Sequence, residues 1–338
     1  MLINANNAVA GSALLTPETP PRLCARQLIL ERVAELAKHE GGTRAGEEIE
    51  ALHDMRVASR RLREALEIFQ FCFPPKIYDR LYARVRRITR ALGQARNADV
   101  AVDYFAKLLA GSHQLIEQVA LQDLLRRLVK QQARLRKEMQ DELDEVQPAN
   151  LLPRFEKAFD NLPPIPASRQ RGSRTALQLA RRLFAQRLHE VFACYRLVQG
   201  EGDVEGLHNV RIAVKKLRYA LETLDFAAGE HVKENLKFFK KLQTVLGDLH
   251  DRDVFLEITQ KRLNKLQKQA FADHLLSGYQ PVVATITSQR RDFYANYVKL
   301  FGQAKIQDWR PRIVPPLRKK TSPVSVPGAL PVYTETAA

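Results

Sequence analysis

Strand patterning is nearly absent from this 338-residue chain. There is no long alternating β-branched run, and no Asn-Gly turn between two such runs. A β-rich fold is therefore excluded. Cysteine is scarce as well: Cys24, Cys72 and Cys194 are scattered, odd in number and lack C-x-x-C spacing. That pattern speaks against a disulfide framework or a zinc site and favours a reducing compartment. No apolar run approaches the roughly 18 residues that span a bilayer. The first 20 residues have no basic n-region, so no signal peptide is expected and the expected location is the cytoplasm. No His/Asp/Glu cluster has metal-ligand spacing, so neither a metal nor another cofactor is expected.

Basic charge is abundant. Lys plus Arg total 54 against 38 Asp plus Glu, a formal net charge of +16. Such an excess bears on partners more than on fold. It points to polyanions: nucleic acid, anionic membrane or phosphate polymers. Apolar residues make up 45 %, enough for a sizeable core.

Helical periodicity runs through most of the chain. It predicts helices at about 22–38, ended by Gly41-Gly42, then 46–71, 77–92 with Gly93 as C-cap, 97–109 starting at an Asn97 cap, and 113–145. Residues 147–172 hold five prolines and read as a connector with a short helix around 154–160. Helices resume at about 173–199, 204–227, 230–246, 251–268 and 271–302, the last kinked or broken at Pro281. Residues 1–19 and the proline-rich stretch 306–338 read as disordered tails.

The chain repeats itself. Residues 52–63 read LHDMRVASRRLR and residues 207–218 read LHNVRIAVKKLR, 155 positions apart. Upstream, ARQLILERVAE (25–35) and ARRLFAQRLHE (180–190) share Ala, Arg, Leu, Arg and Glu at the same offset. Downstream, LGQARNADV (92–100) answers LGDLHDRDV (246–254) at an offset of 154. Three segments in one order at one offset indicate an internal duplication. The expected fold is all-α: a pseudo-symmetric pair of antiparallel helical bundles, 20–146 and 173–305, within one unit spanning 20–305.

At about 100° per residue, His53, Arg56, Arg60 and Arg63 fall within an arc of about 80°. His208, Arg211, Lys215 and Arg218 fall at the same angles. Val57, Leu62 and Leu66, or Ile212, Leu217 and Leu221, can supply the apolar stripe beside them. A solvated face normally mixes charge signs. Here residues 207–218 contain no acid and residues 52–63 only Asp54. Aligned like charges repel, so two such ridges suggest an anionic partner. The third helix adds Arg80, Arg84 and Arg87, with Arg86 and Arg90 nearby; Lys240, Lys241 and His250 stand where the first copy has Arg86, Arg87 and Arg96. Asp99 and Asp253 are expected to cap the following helix or to hold a basic neighbour. Arg26 and Arg181 are further candidates.

The motif H-x-x-R-x-x-x-[RK]-x-x-R, present twice, each time followed by L-G-x-x-[RH]-[DN]-x-D-V, resembles the CHAD domain, the histidine-containing α-helical domain. The resemblance covers about residues 20–305. It implies two helical bundles about a pseudo-twofold axis, and a basic surface and central pore that bind inorganic polyphosphate. The implied contacts are His53, Arg56, Arg60, Arg63, His208, Arg211, Lys215 and Arg218. Arg87, Lys241, Arg96 and His250 follow, then Arg26, Arg181, Arg86 and Lys240. Two positions depart from the family pattern. Asn97 replaces an aspartate, and His250 replaces an arginine, which lowers charge at neutral pH. Many members are fused to a triphosphate-hydrolysing β-tunnel domain; no E-x-E-x-K strand occurs here, which argues against catalysis.

Arg suits such a ligand because its planar guanidinium makes bidentate, charge-assisted hydrogen bonds to phosphate oxygens. The competing readings are nucleic-acid binding through the same surface and histidine phosphotransfer through His53 or His208. Single-strand binders interleave stacking aromatics, and only Tyr219 adjoins a ridge. Weak electrostatic binding of nucleic acid is the expectation on that side. Two histidines amid arginines suit anion capture better than phosphotransfer.

Overall fold

The protein is described by a computed structural model covering residues 14–46, 49–166, 173–269, 273–302 and 304–316. Among these residues there is no strand, and the fold is all-α. The helices of the first half are α1 (Pro21–Lys38), α2 (Glu40–Ala45), α3 (Ile49–Ile68), α4 (Pro75–Gly111), α5 (Leu115–Val146) and α6 (Leu151–Asp160). Those of the second half are α7 (Ala176–Leu197), α8 (Val204–Thr223), α9 (Asp225–Ala228), α10 (Glu230–Leu266), α11 (Asp273–Phe301) and α12 (Ile306–Ile313).

Several starts follow from local chemistry. Pro21 and Pro75 occupy first turns, where a missing N–H costs nothing. The Asp203 carboxylate accepts from Gly206 N–H and caps α8; Thr175 Oγ1 accepts from Gln178 N–H and caps α7. The stops differ from the sequence expectation. Gly41 and Gly42 lie inside α2, which ends at left-handed Gly46 (φ 70°). Gly93 does not end a helix: α4 runs unbroken for 37 residues, and α10 runs for 37 residues through Gly247 and His250. Gly93 keeps helical backbone, and its buried neighbours Leu92 and Ala95 outweigh the roughly 1 kcal/mol propensity cost of glycine. Asn97 therefore caps nothing. Pro281 likewise lies inside continuous α11.

The core divides across the two halves rather than between them. One cluster joins α1, α3, α7 and α8 with the first parts of α4 and α10, the end of α5, α6 and the end of α11. The other joins the far parts of α4 and α10 to α5 and α11 through Phe105, Leu121, Leu124, Phe255, Tyr279 and Ile286. In that second cluster Asp123 of α5 is clamped by Arg262 of α10 at 2.7 Å and by the Tyr279 hydroxyl of α11 at 3.0 Å. At Gly278 of α11 an added Cβ would lie 2.2 Å from the Ile116 carbonyl oxygen, so only glycine admits this approach to α5.

Two segments expected to be irregular are partly helical. Within the connector, α6 buries Leu151, Phe155 and Phe159 at successive turns. In the C-terminal tail, α12 lays Trp309 against Phe238 and Phe239 of α10, with ring centroids 4.3 and 5.3 Å apart, and buries Ile313 fully. Burial of an aromatic anchor overrides a weak local pattern. The expected disorder of residues 1–13 and 317–338 falls outside the described residues.

Candidate functional site

Helix α3 packs against α8, and α4 and α10 flank them. Where the four helices meet lies a cleft of about 420 Å³. Helix α3 contributes His53, Arg56, Arg60 and Arg63, and α8 contributes Arg211 and Lys215. Helix α4 adds Thr89, Gly93, Arg96 and Asn97; α10 adds Gly247, His250 and Asp251. Six Arg and Lys side chains from both halves thus share one cavity with a single carboxylate.

The lining is crowded and partly desolvated. Burial and the neighbouring Arg60, with further repulsion from Arg211 and Arg96, lower Arg56 to about 10. Burial, then Arg60, lower Arg211. Burial lowers Lys215 to about 8, with Arg60, Arg63 and Arg211 pushing the same way and Glu64 opposing. Burial and Arg211 lower His250 to about 4, so it is neutral at physiological pH. Burial raises Asp251 even though Arg211 pulls it down. Arg56 has one hydrogen-bond acceptor, Asn97 Oδ1 at 3.5 Å. An alanine Cβ at Gly93 would stand 3.9 Å from Arg56 Nε, an ordinary contact. Such a set of desolvated cations is unfavourable in isolation and is relieved by an anion.

Not every expected contact reaches the cleft. Arg218 turns toward Glu222 at 2.9 Å and stacks over Tyr219 at 4.3 Å. Its counterpart Arg63 lies 3.7 Å from Glu67 but still lines the cleft. Glu67 and Glu222 sit four residues past the last arginine of each motif. His208 faces His250, Nδ1 to Nδ1 3.4 Å, behind the lining. Arg87 lies on the surface, held by Glu142 and Glu145 of α5. Lys240 lies 3.6 Å from Glu222; Arg86 and Lys241 are exposed and outside the cleft. Arg26 binds Asp160 at 2.7 Å, and Arg181 donates to the Pro315 carbonyl. Glu142, Glu145, Asp160 and the Pro315 carbonyl come from distant chain, so the motif alone does not reveal them.

Asp99 and Asp253 hold basic neighbours and cap nothing. Arg136 Nη2 reaches Asp99 at 3.1 Å, and Arg290 Nε reaches Asp253 at 2.5 Å. Each partner lies 37 residues downstream, so the two pairs occupy corresponding places in the two halves. They fasten α4 to α5 and α10 to α11 directly behind Arg96 and His250. Arg32 and Arg187, matched in the sequence comparison, stand in the fields of Glu222 and Glu64 respectively, each an acid of the other half. Among the described residues no group of His, Cys, Asp and Glu is arranged to hold a metal, and no helix is long and apolar enough to cross a membrane.

Comparison with known proteins bears on this architecture. No curated protein matches the chain by sequence. Among solved structures, the crystal structure of the CHAD domain from the plant Ricinus communis is similar, with a TM-score of 0.57 at 21 % identity, over 90 % of this chain and 95 % of that one. PptA from Streptomyces chartreusis is similar with a TM-score of 0.65 at 12 % identity, over 84 % of this chain and all of that one. At those identities the likeness speaks to the fold. The model of the CHAD domain family matches residues 27–304, which takes in every helix that lines the cleft, and the chain belongs to that family.

Proposed function

We propose that the protein binds inorganic polyphosphate in the cleft between α3, α4, α8 and α10 and does not turn it over. The observation that carries the reading is the cleft itself: Arg56, Arg60, Arg63, Arg96, Arg211 and Lys215 share about 420 Å³ with Asp251 as the one carboxylate. Cations spaced by one and two helical turns, about 5 and 10 Å, can meet successive phosphates of a linear chain. Guanidinium groups grip phosphate oxygens bidentately, and the partly dry surroundings strengthen each contact. His53 offers a further donor. His208 acts from behind the lining, orienting His250.

The matching helix lengths and the matched Asp–Arg pairs support reading 20–146 and 173–305 as two copies of one unit, each supplying one wall. Binding would bring the protein to polyphosphate-containing granules. Calorimetry with long-chain polyphosphate and with single- and double-stranded DNA, at equal phosphate and salt, is the test. Micromolar or tighter binding to polyphosphate, well above DNA, is expected; equal or tighter DNA binding would overturn it. Arg56→Ala with Arg211→Ala should weaken binding far more than Lys130→Ala with Lys137→Ala, two exposed cations outside the cleft. Incubation with polyphosphate and Mg²⁺ should release no phosphate.

A further inference from the structure

A second group of cations stands apart from the cleft. Arg80 and Arg84, one turn apart on α4, and Arg154 and Lys157, one turn apart on α6, line a groove of about 440 Å³ with Asn161 and, among the described residues, no carboxylate. Their placement is not incidental. Phe155 and Phe159 are buried in the core and Asp160 is bound to Arg26, which fixes the face that α6 presents to α4. One turn beyond Arg84, Arg87 is neutralised by two glutamates. Arg80, Arg84, Arg154 and Lys157 form no ion pair or side-chain hydrogen bond among the described residues. Four cations thus converge uncompensated on one concave surface, which is unfavourable unless an anion is shared between them.

The groove and the cleft are separate. Arg80 and Arg84 lie more than 100° around α4 from Gly93 and Arg96, which face the cleft. Arg80, Arg154 and Lys157 are exposed and Arg84 is half-buried, so an anion can reach all four from solvent.

We propose that this groove is a second anion site, one that takes a short run of an inorganic oligophosphate. The proposal rests on the reading of the protein as a phosphate-polymer binder for its choice of ligand, though not for the site's geometry. Arg80 and Arg84 supply forked donors from one side, Arg154 a third from the other, and Lys157 a point charge. A polymer longer than the cleft could then be held by two faces of the molecule, with α4 between them.

Tripolyphosphate titrated by calorimetry at low salt is the test, since it is too short to bridge both sites. The wild-type chain should bind two equivalents. Arg84→Ala with Lys157→Ala should bind one, with the remaining site unchanged. Arg56→Ala with Arg211→Ala should also bind one, the groove being intact. Lys130→Ala with Lys137→Ala should keep both, which rules out a net-charge effect. A single wild-type equivalent that survives Arg84→Ala with Lys157→Ala and disappears with Arg56→Ala and Arg211→Ala overturns the groove and leaves the cleft standing. The opposite assignment sustains the groove and removes the cleft. Absence of any binding overturns both. Arg84 and Lys157 lie outside the core, so unchanged helical circular dichroism of the variants is expected.

Discussion

Lys215 offers the sharpest test of the cleft. Burial, with repulsion from Arg60, Arg63 and Arg211, lowers its ammonium from the usual 10.5 to about 8. A phosphate chain lying against it would remove the repulsion and restore the charged form. Binding should then take up a proton above pH 8, and affinity should fall as pH rises. If the bound lysine regains its ordinary value, linkage gives a loss of about tenfold in association constant between pH 7 and pH 9. Inorganic polyphosphate carries at least as much charge at pH 9 as at pH 7, so the ligand cannot cause such a fall. His250, at about 4, does not titrate in that range, and Arg56, at about 10, has barely begun to. Lys215→Arg keeps its charge throughout and should bind with nearly flat pH dependence. Calorimetry in two buffers of different ionisation enthalpy, at pH 8.5, should report proton uptake for the wild type and little for Lys215→Arg. Folding stability should move the opposite way: the unfolded chain holds the lysine proton more tightly, so stability should rise from pH 8 toward 10.5 and level off beyond. A wild-type affinity that is flat from pH 7 to 9, or one that falls equally in Lys215→Arg, would refute the reasoning.

Binding to the cleft alone should weaken with salt. With six cations engaged, the single-strand polyelectrolyte slope gives a log–log slope near −4, or about two orders of magnitude from 50 to 200 mM salt; a slope shallower than −1 would mean that few of the six touch phosphate. Removing one partner of the buried Arg262–Asp123 pair, by Arg262→Met, should cost about 3 kcal/mol in urea unfolding, because Asp123 beneath the second core cluster keeps only the more exposed Arg127, at 3.4 Å, and the Tyr279 hydroxyl. Gly278→Ala should destabilise by at least about 1 kcal/mol in the same assay, since its Cβ has no room against the Ile116 carbonyl oxygen. Gly93→Ala, with space for a methyl and a helical backbone, should leave stability unchanged or raise it, whereas a C-cap glycine would lose stability on the same change.

The two ridges were legible in the sequence because helical periodicity places His53, Arg56, Arg60 and Arg63 on one arc whatever their surroundings. That they face each other was not, since it depends on α3 meeting α8. The glycines misled because Gly93 and Gly247 stand where a C-cap glycine would, and only the packing of Leu92, Ala95 and Leu246 carries the helices through. The sequence offers Arg218 and Arg87 as ligand contacts because their acids, Glu222 and Glu142 with Glu145, lie past the motif or on another helix. The role of Asp99 and Asp253 was open between cap and clamp. A common spacing of 37 residues to Arg136 and Arg290 was in the sequence and would have decided it. Helix α12 gave no local sign, since Trp309 matters only once Phe238 and Phe239 are beside it.

The unbroken course of α4 and α10 bears on more than secondary structure. Each rod is held toward its two ends by a different core cluster and runs as one continuous helix through its central glycine. Neither of these two walls of the cleft therefore has a break between helices at which it could fold away from the other. A calliper set in this way would admit a slender chain of tetrahedral units and stop a double helix at its rim. Discrimination between two polyanions of equal charge density would then be a matter of girth.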